Sequence, residues 1–196
     1  MVGGPFGALL GAAFGHNLDQ GGQKAPEEPD ALGDERVRAA FLAAAFQLMG
    51  YIAKADGRVS ELEIAAARAM MDHLQLNAVQ RRAAIDCFTE GKQPGFAADA
   101  AIDAFRTACG SRPSLAAKLL ELLFNIAYAD GSPSPPTQAR LVAVAERLGM
   151  VRLQFEALQT LFRAQVWARQ QSAEGQAGAG SSYQQHTHGP RPATAI

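Results

Sequence analysis

The chain repeats itself once, without a gap. Residues 48–88 match residues 122–162 at a constant offset of 74 positions. Both copies contain the pattern Ile-Ala-x-Ala-Asp-Gly-x-x-Ser, once from Ile52 and once from Ile126. Each copy is typical of a helix, a short Asp-Gly loop, a capped helix and a further helix. Because each copy alone would expose an apolar face, we expect the two copies to pack together in one compact domain with pseudo-twofold character.

The apolar pattern predicts an all-α body over residues 34–170, with about seven helices and no strand. Apolar side chains recur at helical spacing through residues 37–52. Ser60 followed by Glu63 is the signature of a capping box at the start of the second helix. Gly91 is expected to act as the stop of the third helix. The seven helices are predicted to form a single domain.

Composition and motifs exclude several function classes. The formal net charge of −1 gives no electrostatic footprint for nucleic acid. Cys87 and Cys109 are far apart and match no zinc or redox spacing. The sequence has no P-loop, no dinucleotide fingerprint and no nucleophile–base arrangement. We therefore expect a protein that is not an enzyme, has no catalytic residues and does not bind nucleic acid.

The first twenty residues form a glycine-rich apolar segment. Glycines recur every four residues, at Gly3, Gly7, Gly11 and Gly15, and would share one face of a helix. Such a stripe lets two membrane helices approach closely, which predicts a membrane-proximal segment and a homodimer. The apolar part, residues 2–14, is about half as long as a complete span. A mildly apolar arm is the alternative interpretation.

Two further segments flank the predicted domain. Residues 21–33 contain prolines, glycines and a group of acids, so they are predicted to be a linker. The last helix is expected to run from about Val151 to Ala168. Residues 171–196 are rich in Gln, Gly, Ser and Ala, which is typical of a disordered low-complexity tail.

The Asp-Gly loops have two interpretations. Carboxylates are the oxygen ligands that Ca²⁺ and Mg²⁺ prefer, so Asp56, Glu63 and Asp130 are candidate ligands of a divalent cation. The second copy has Thr137 where the first has Glu63, which would weaken its loop as a site. The alternative is architectural: the glycine after each Asp ends a helix, the Asp caps the turn, and Glu63 belongs to the capping box.

These motifs resemble two known families. The paired Ala-x-Ala-Asp-Gly loops in a helical body resemble TerB-like domains, named after a tellurite-resistance protein. The glycine ladder of residues 3–19 resembles the end of the membrane segment of the DjlA co-chaperones. That resemblance implies a protein of the bacterial inner membrane whose helical domain lies in the cytoplasm. It also implies a C-terminal J domain, whose His-Pro-Asp motif acts on an Hsp70 partner.

The resemblance covers roughly residues 1–170 and has one clear departure. The sequence contains no His-Pro-Asp, and His188-Gly-Pro190 is not that motif. The implied function is a membrane-associated, non-enzymatic regulatory or interaction module of a DjlA-like co-chaperone, with the Hsp70 system engaged through a J domain that this sequence lacks. The alternative is a cation-binding stress-response module of the tellurite-resistance type.

Overall fold

The structure is a computed structural model that describes residues 35–110 and 112–178. Over these residues it contains seven α-helices and no strand, which confirms the predicted all-α fold. The helices are α1 (Glu35–Ala53), α2 (Glu61–His73), α3 (Ala78–Gly91), α4 (Ala98–Cys109), α5 (Pro113–Ala127), α6 (Pro135–Arg147) and α7 (Arg152–Gly178). The glycine ladder, residues 21–33 and residues 179–196 lie outside the described part of the chain.

Local sequence signals start two of these helices. The Ser60 hydroxyl accepts a hydrogen bond from the Glu63 amide at 3.1 Å, and the Glu63 carboxylate accepts one from the Ser60 amide at 2.8 Å. Asn77 and Gln80 form the same reciprocal pair at the start of α3, at 2.9 and 3.1 Å. Both boxes satisfy amides that a helix start leaves without partners. The predicted box at Ser60 is confirmed.

The helix boundaries reproduce the sequence repeat. Helix α6 lies 74 residues after α2 at both of its ends. The last residues of α1 and α5 are 74 positions apart, and the first residues of α3 and α7 are also 74 positions apart. The loop hydrogen bonds repeat as well, because the Gly57 amide donates to Lys54 O and the Gly131 amide donates to Tyr128 O. The two copies therefore adopt the same local structure.

The two copies share one core. Helix α2 of the first copy packs on α5 of the second, and α6 of the second packs on α1 of the first. This exchange is the arrangement expected for a pseudo-twofold domain. Helices α1 and α5 supply most of the side chains that are fully buried, including Phe46, Leu48, Ile52, Leu123 and Phe124. Both copies, through Phe162, lie in one compact unit, and the described residues after Phe162 belong to a second.

Two helical glycines bring α1 and α3 unusually close together. A Cβ on Gly50 would lie 2.2 Å from the carbonyl oxygen of Phe88. A Cβ on Gly91 would lie 1.9 Å from the carbonyl oxygen of Gln47. Gly91 is the last residue of α3, but Lys92 after it keeps right-handed helical geometry. Gly91 is therefore a packing position, and its predicted role as a helix stop is wrong.

The last helix is longer than the sequence pattern predicts. Helix α7 continues to Gly178, ten residues beyond the expected end at Ala168. Eight residues that were assigned to the tail are therefore helical. The extension contains several Gln and Ala residues, which favour helix even where no apolar period is present. Within the described residues, no helix is both long and apolar enough to span a bilayer.

Candidate functional site

The two Asp-Gly loops show part of the geometry that the architectural interpretation requires, because both glycines have positive φ but lie four residues after their helices end. The Asp56 carboxylate accepts a hydrogen bond from the Arg58 amide at 3.2 Å, which closes a turn within the first loop. Gly57 and Gly131 have φ angles of 95° and 129°, a region that side chains disfavour. Asp56 and Asp130 are both exposed, so their carboxylates face solvent beside these turns.

Glu63 is a buried carboxylate at the centre of this region. Its side chain is 8% exposed and is held by the Ser60 capping box. Burial raises the pKa of Glu63 above its ordinary value, and the charges of Asp130 and Asp56 raise it further. The hydrogen bonds from Ser60 act in the opposite direction. The fold thus brings the three acids predicted from sequence into one electrostatic neighbourhood, with Asp130 contributed by the other copy.

The second copy breaks the symmetry of this neighbourhood. Thr137 occupies the position of Glu63 and is also buried. Its hydroxyl lies 2.8 Å from the Ser134 hydroxyl, and its amide donates to Ser134 Oγ at 3.4 Å. A neutral hydroxyl pair therefore replaces the buried acid, so that the region holds three carboxylates. Among the described residues, no group of three His, Cys, Asp or Glu side chains is placed to hold a metal ion. The cation site stays a prediction.

Replacing Glu63 with glutamine is expected to raise the melting temperature at pH 7. Because the folded-state pKa of Glu63 lies above its ordinary value of 4.5, folding favours the protonated form. The stability that this preference gives is fully present below pH 4.5 and is lost as pH rises through the raised pKa. Glutamine is neutral and still fits a capping box, as Gln80 does in α3. The measurement is thermal unfolding of wild type and Glu63→Gln at pH 4 and pH 7.

The matched control is Glu61→Gln, which removes an exposed acid from the same first turn. It is expected to lower stability slightly, because acids near a helix N-terminus are favourable. A lower melting temperature for Glu63→Gln at pH 7 would contradict the raised pKa of Glu63. A rise in wild-type stability on adding Ca²⁺ or Mg²⁺ that both Glu63→Gln and Asp56→Ala abolish would contradict the architectural interpretation.

A groove that the sequence analysis did not single out lies at the far end of the second copy. It has a volume of about 480 Å³ and is formed where α4 ends, α5 begins, and α6 passes into α7. Phe105, Ala116 and Leu158 give it an apolar lining, and Arg106 and Arg112 add two guanidinium groups. The lining combines residues 105–117 with residues 148–158, so no local sequence pattern indicates such a groove.

The sequence pattern also does not predict one long-range contact. Arg140 on α6 donates to the carbonyl oxygen of Tyr51 near the end of α1. Its guanidinium also lies 4.2 Å from the centre of the Tyr51 ring. The contact joins the two copies and stabilises a helix end through a cation.

The family model described as tellurite resistance protein TerB matches residues 42–160, which include most of both interlocked copies. The chain therefore contains a TerB-type domain. A second model, described as the co-chaperone DjlA transmembrane domain, matches residues 1–26. No solved structure matches the chain.

Curated relatives match both segments together. The co-chaperone protein DjlA of Yersinia pestis is 35% identical over 195 residues, which cover 95% of this chain and 68% of the relative. DjlA of Escherichia coli K12 is 35% identical over 97% of this chain and 69% of the relative. DjlA of Coxiella burnetii is 35% identical over 84% and 63%. The chain belongs to the DjlA co-chaperone family.

Proposed function

We propose that the chain is the membrane-associated, non-enzymatic interaction region of a DjlA-type co-chaperone. The observation that carries this proposal is the order of the matches, with the DjlA transmembrane model over residues 1–26 and the TerB model over residues 42–160. Each of the two relatives aligns with this chain over most of its length, which includes both segments. In this role residues 1–20 attach the helical domain to the bacterial inner membrane, and the domain lies in the cytoplasm.

The link to Hsp70 is part of the same proposal. The sequence contains no His-Pro-Asp, so the present residues position a J domain or bind a partner and do not themselves act on the chaperone's ATPase. The relatives are named co-chaperones, which supports a place in the chaperone system. The helical domain has a buried core, so it presents a folded surface on which such contacts can form.

The purified chain is expected to leave the ATPase rate of a bacterial Hsp70 unchanged in single-turnover assays. A fusion that carries a J domain after residue 196 is expected to stimulate the rate as strongly as that J domain alone. The control is the same fusion with the His of His-Pro-Asp replaced by Gln, which should be inactive. Stimulation by the chain without a J domain would show that it acts on the ATPase directly.

The glycine ladder is expected to make the anchored protein a dimer. Small residues at four-residue spacing allow close helix contact in lipid, where packing is a main source of attraction. Gly7→Leu with Gly11→Leu should break the contact and still allow insertion, because leucine is more apolar than glycine. The matched control, Ala8→Leu with Ala12→Leu, adds leucines to a different face of the same segment. A two-hybrid assay in the membrane measures both, and equal association in the two double variants would exclude the ladder as the interface.

A further inference from the structure

The groove described above has a counterpart in the first copy. A smaller cavity of about 130 Å³ lies between α1 and α3. Equivalent residues line the two, at the same offset of 74 positions: Ala43 and Ala117, Gln80 and Gln154, Ala84 and Leu158. The two cavities are therefore one feature of the repeat, present in a narrow form and in a wide form.

One substitution within the repeat accounts for the difference in width. Gly50 lets α1 and α3 touch through their backbones. The equivalent residue in the second copy is Phe124, which is fully buried. Its ring lies 5.6 Å from the Phe155 ring and 5.5 Å from the Phe162 ring, so an aromatic cluster separates α5 from α7. The wide groove is thus built into the core of the second copy.

The wide groove is also cationic. Arg106 is exposed and donates to the carbonyl oxygen of Arg147, and Arg112 is half-buried. No ion pair found among the described residues includes either of these two arginines. Nearby acids already have partners, because Asp99 and Asp103 pair with Arg147 at 3.2 and 3.0 Å. The narrow cavity, in contrast, is lined by the acid Glu35 and by no base.

The start of the helical domain lies beside this groove. The Cys109 thiol contacts the carbonyl oxygen of Val37 at 3.8 Å, so the beginning of α1 meets the end of α4. Gly110, the next residue after Cys109, lines the groove. Val37, in the first turn of α1, thus lies near one edge of the wide groove, while Glu35 lines the narrow cavity.

That preceding chain has the complementary chemistry. Residues 21–33 contain Glu27, Glu28 and Asp30 against one lysine, followed by Leu32. An extended chain spans up to about 3.5 Å per residue. Glu28, seven residues before Glu35, thus has a reach of roughly 25 Å. We propose that this acidic segment docks in the wide groove, with its carboxylates on Arg106 and Arg112 and Leu32 on the apolar lining. Docking would fix the orientation of the helical domain relative to the N-terminal segment.

The test is photocrosslinking in the full chain, purified in mild detergent. The photoreactive amino acid p-benzoylphenylalanine replaces Leu32 in one sample and Gln23 in a control sample. Mass spectrometry then maps the crosslinked peptides. The expected result is a crosslink within one chain from position 32 to residues 105–117 or 148–158, with a yield that does not depend on protein concentration. Position 23 should give much less of this product.

Charge variants test the contacts. Arg106→Gln with Arg112→Gln should lower the crosslink yield, by up to about fivefold for each ion pair removed, as expected for partly exposed pairs. Raising the salt concentration from about 0.05 to 0.5 M should also lower the crosslink yield. The matched control, Arg68→Gln with Arg82→Gln, removes the same charge from exposed positions elsewhere and should change nothing. A yield equal to that of position 23, crosslinks to the narrow cavity, or crosslinks only between two chains would each overturn the proposal.

Discussion

Replacing Gly50 or Gly91 with alanine is expected to lower the free energy of unfolding by about 2–3 kcal/mol, the upper part of the usual cost of overpacking. In each case the added Cβ would lie about 2 Å from a backbone carbonyl oxygen of the facing helix, at 2.2 and 1.9 Å. Backbone cannot move aside as a flexible side chain can, so α1 and α3 must separate along their contact. The gain of about 1 kcal/mol from replacing a helical glycine is smaller than this cost. Urea unfolding followed by circular dichroism measures the change.

The control for this prediction is Thr89→Ala, which changes an exposed position on α3 next to the same contact. It should be neutral or slightly stabilising, since alanine favours helix more than threonine does. A Gly50→Ala or Gly91→Ala protein as stable as the wild type would show that α1 and α3 are farther apart than described here.

Replacing Phe124 with alanine is expected to cost about 3–5 kcal/mol, the usual range for a large aromatic side chain in a core. Phe124 is fully buried and contacts Phe155, Phe162 and Tyr128 with ring centres 5.5–6.3 Å apart. The same side chain holds α5 and α7 apart at the wide groove. Its removal therefore acts on both stability and the shape of the groove. Thermal and urea unfolding report the first effect.

Leu153→Ala is a suitable control for Phe124→Ala, because Leu153 is 76% exposed at the start of α7. Its loss should change stability by less than about 0.5 kcal/mol. An equal effect of the two substitutions would contradict the assignment of Phe124 to the core of the second copy.

Local signals in the sequence were enough to predict much of the fold. Ser60 and Glu63 act within a few residues of each other, so the capping box was predictable, and so was the positive φ of the glycines after Asp56 and Asp130. The offset of 74 positions also predicted that two similar units pack together. Of the three candidate ligands, Asp56 and Asp130 both act electrostatically on Glu63 in the folded chain.

Contacts between distant residues were not predictable in the same way. Gly91 has the sequence signature of a helix-ending glycine and Gly50 lies within a helical pattern, and only the facing carbonyl oxygens explain both. Arg140 contacts Tyr51 across 89 positions, with no local pattern to indicate it. The wide groove forms because the second copy has Phe124 where the first copy has Gly50. The phenylalanine ring keeps α5 and α7 apart, and nothing near it in the sequence indicates this. Residues 169–178 are helical without an apolar period, so a prediction from periodicity alone placed the end of the last helix too early.

We propose that this chain holds a helical interaction domain on the cytoplasmic side of the bacterial inner membrane. The most direct test is the distribution of fluorescence in cells that express the full chain with a green fluorescent protein at its C-terminus, since this reporter becomes fluorescent when it folds in the cytoplasm. This arrangement predicts that the fluorescence of the full chain is found in the carbonate-washed membrane fraction. It also predicts that the fluorescence moves to the soluble fraction when residues 1–20 are deleted. Fluorescence of the full chain in the soluble fraction, or a membrane-bound fusion without fluorescence, would contradict it.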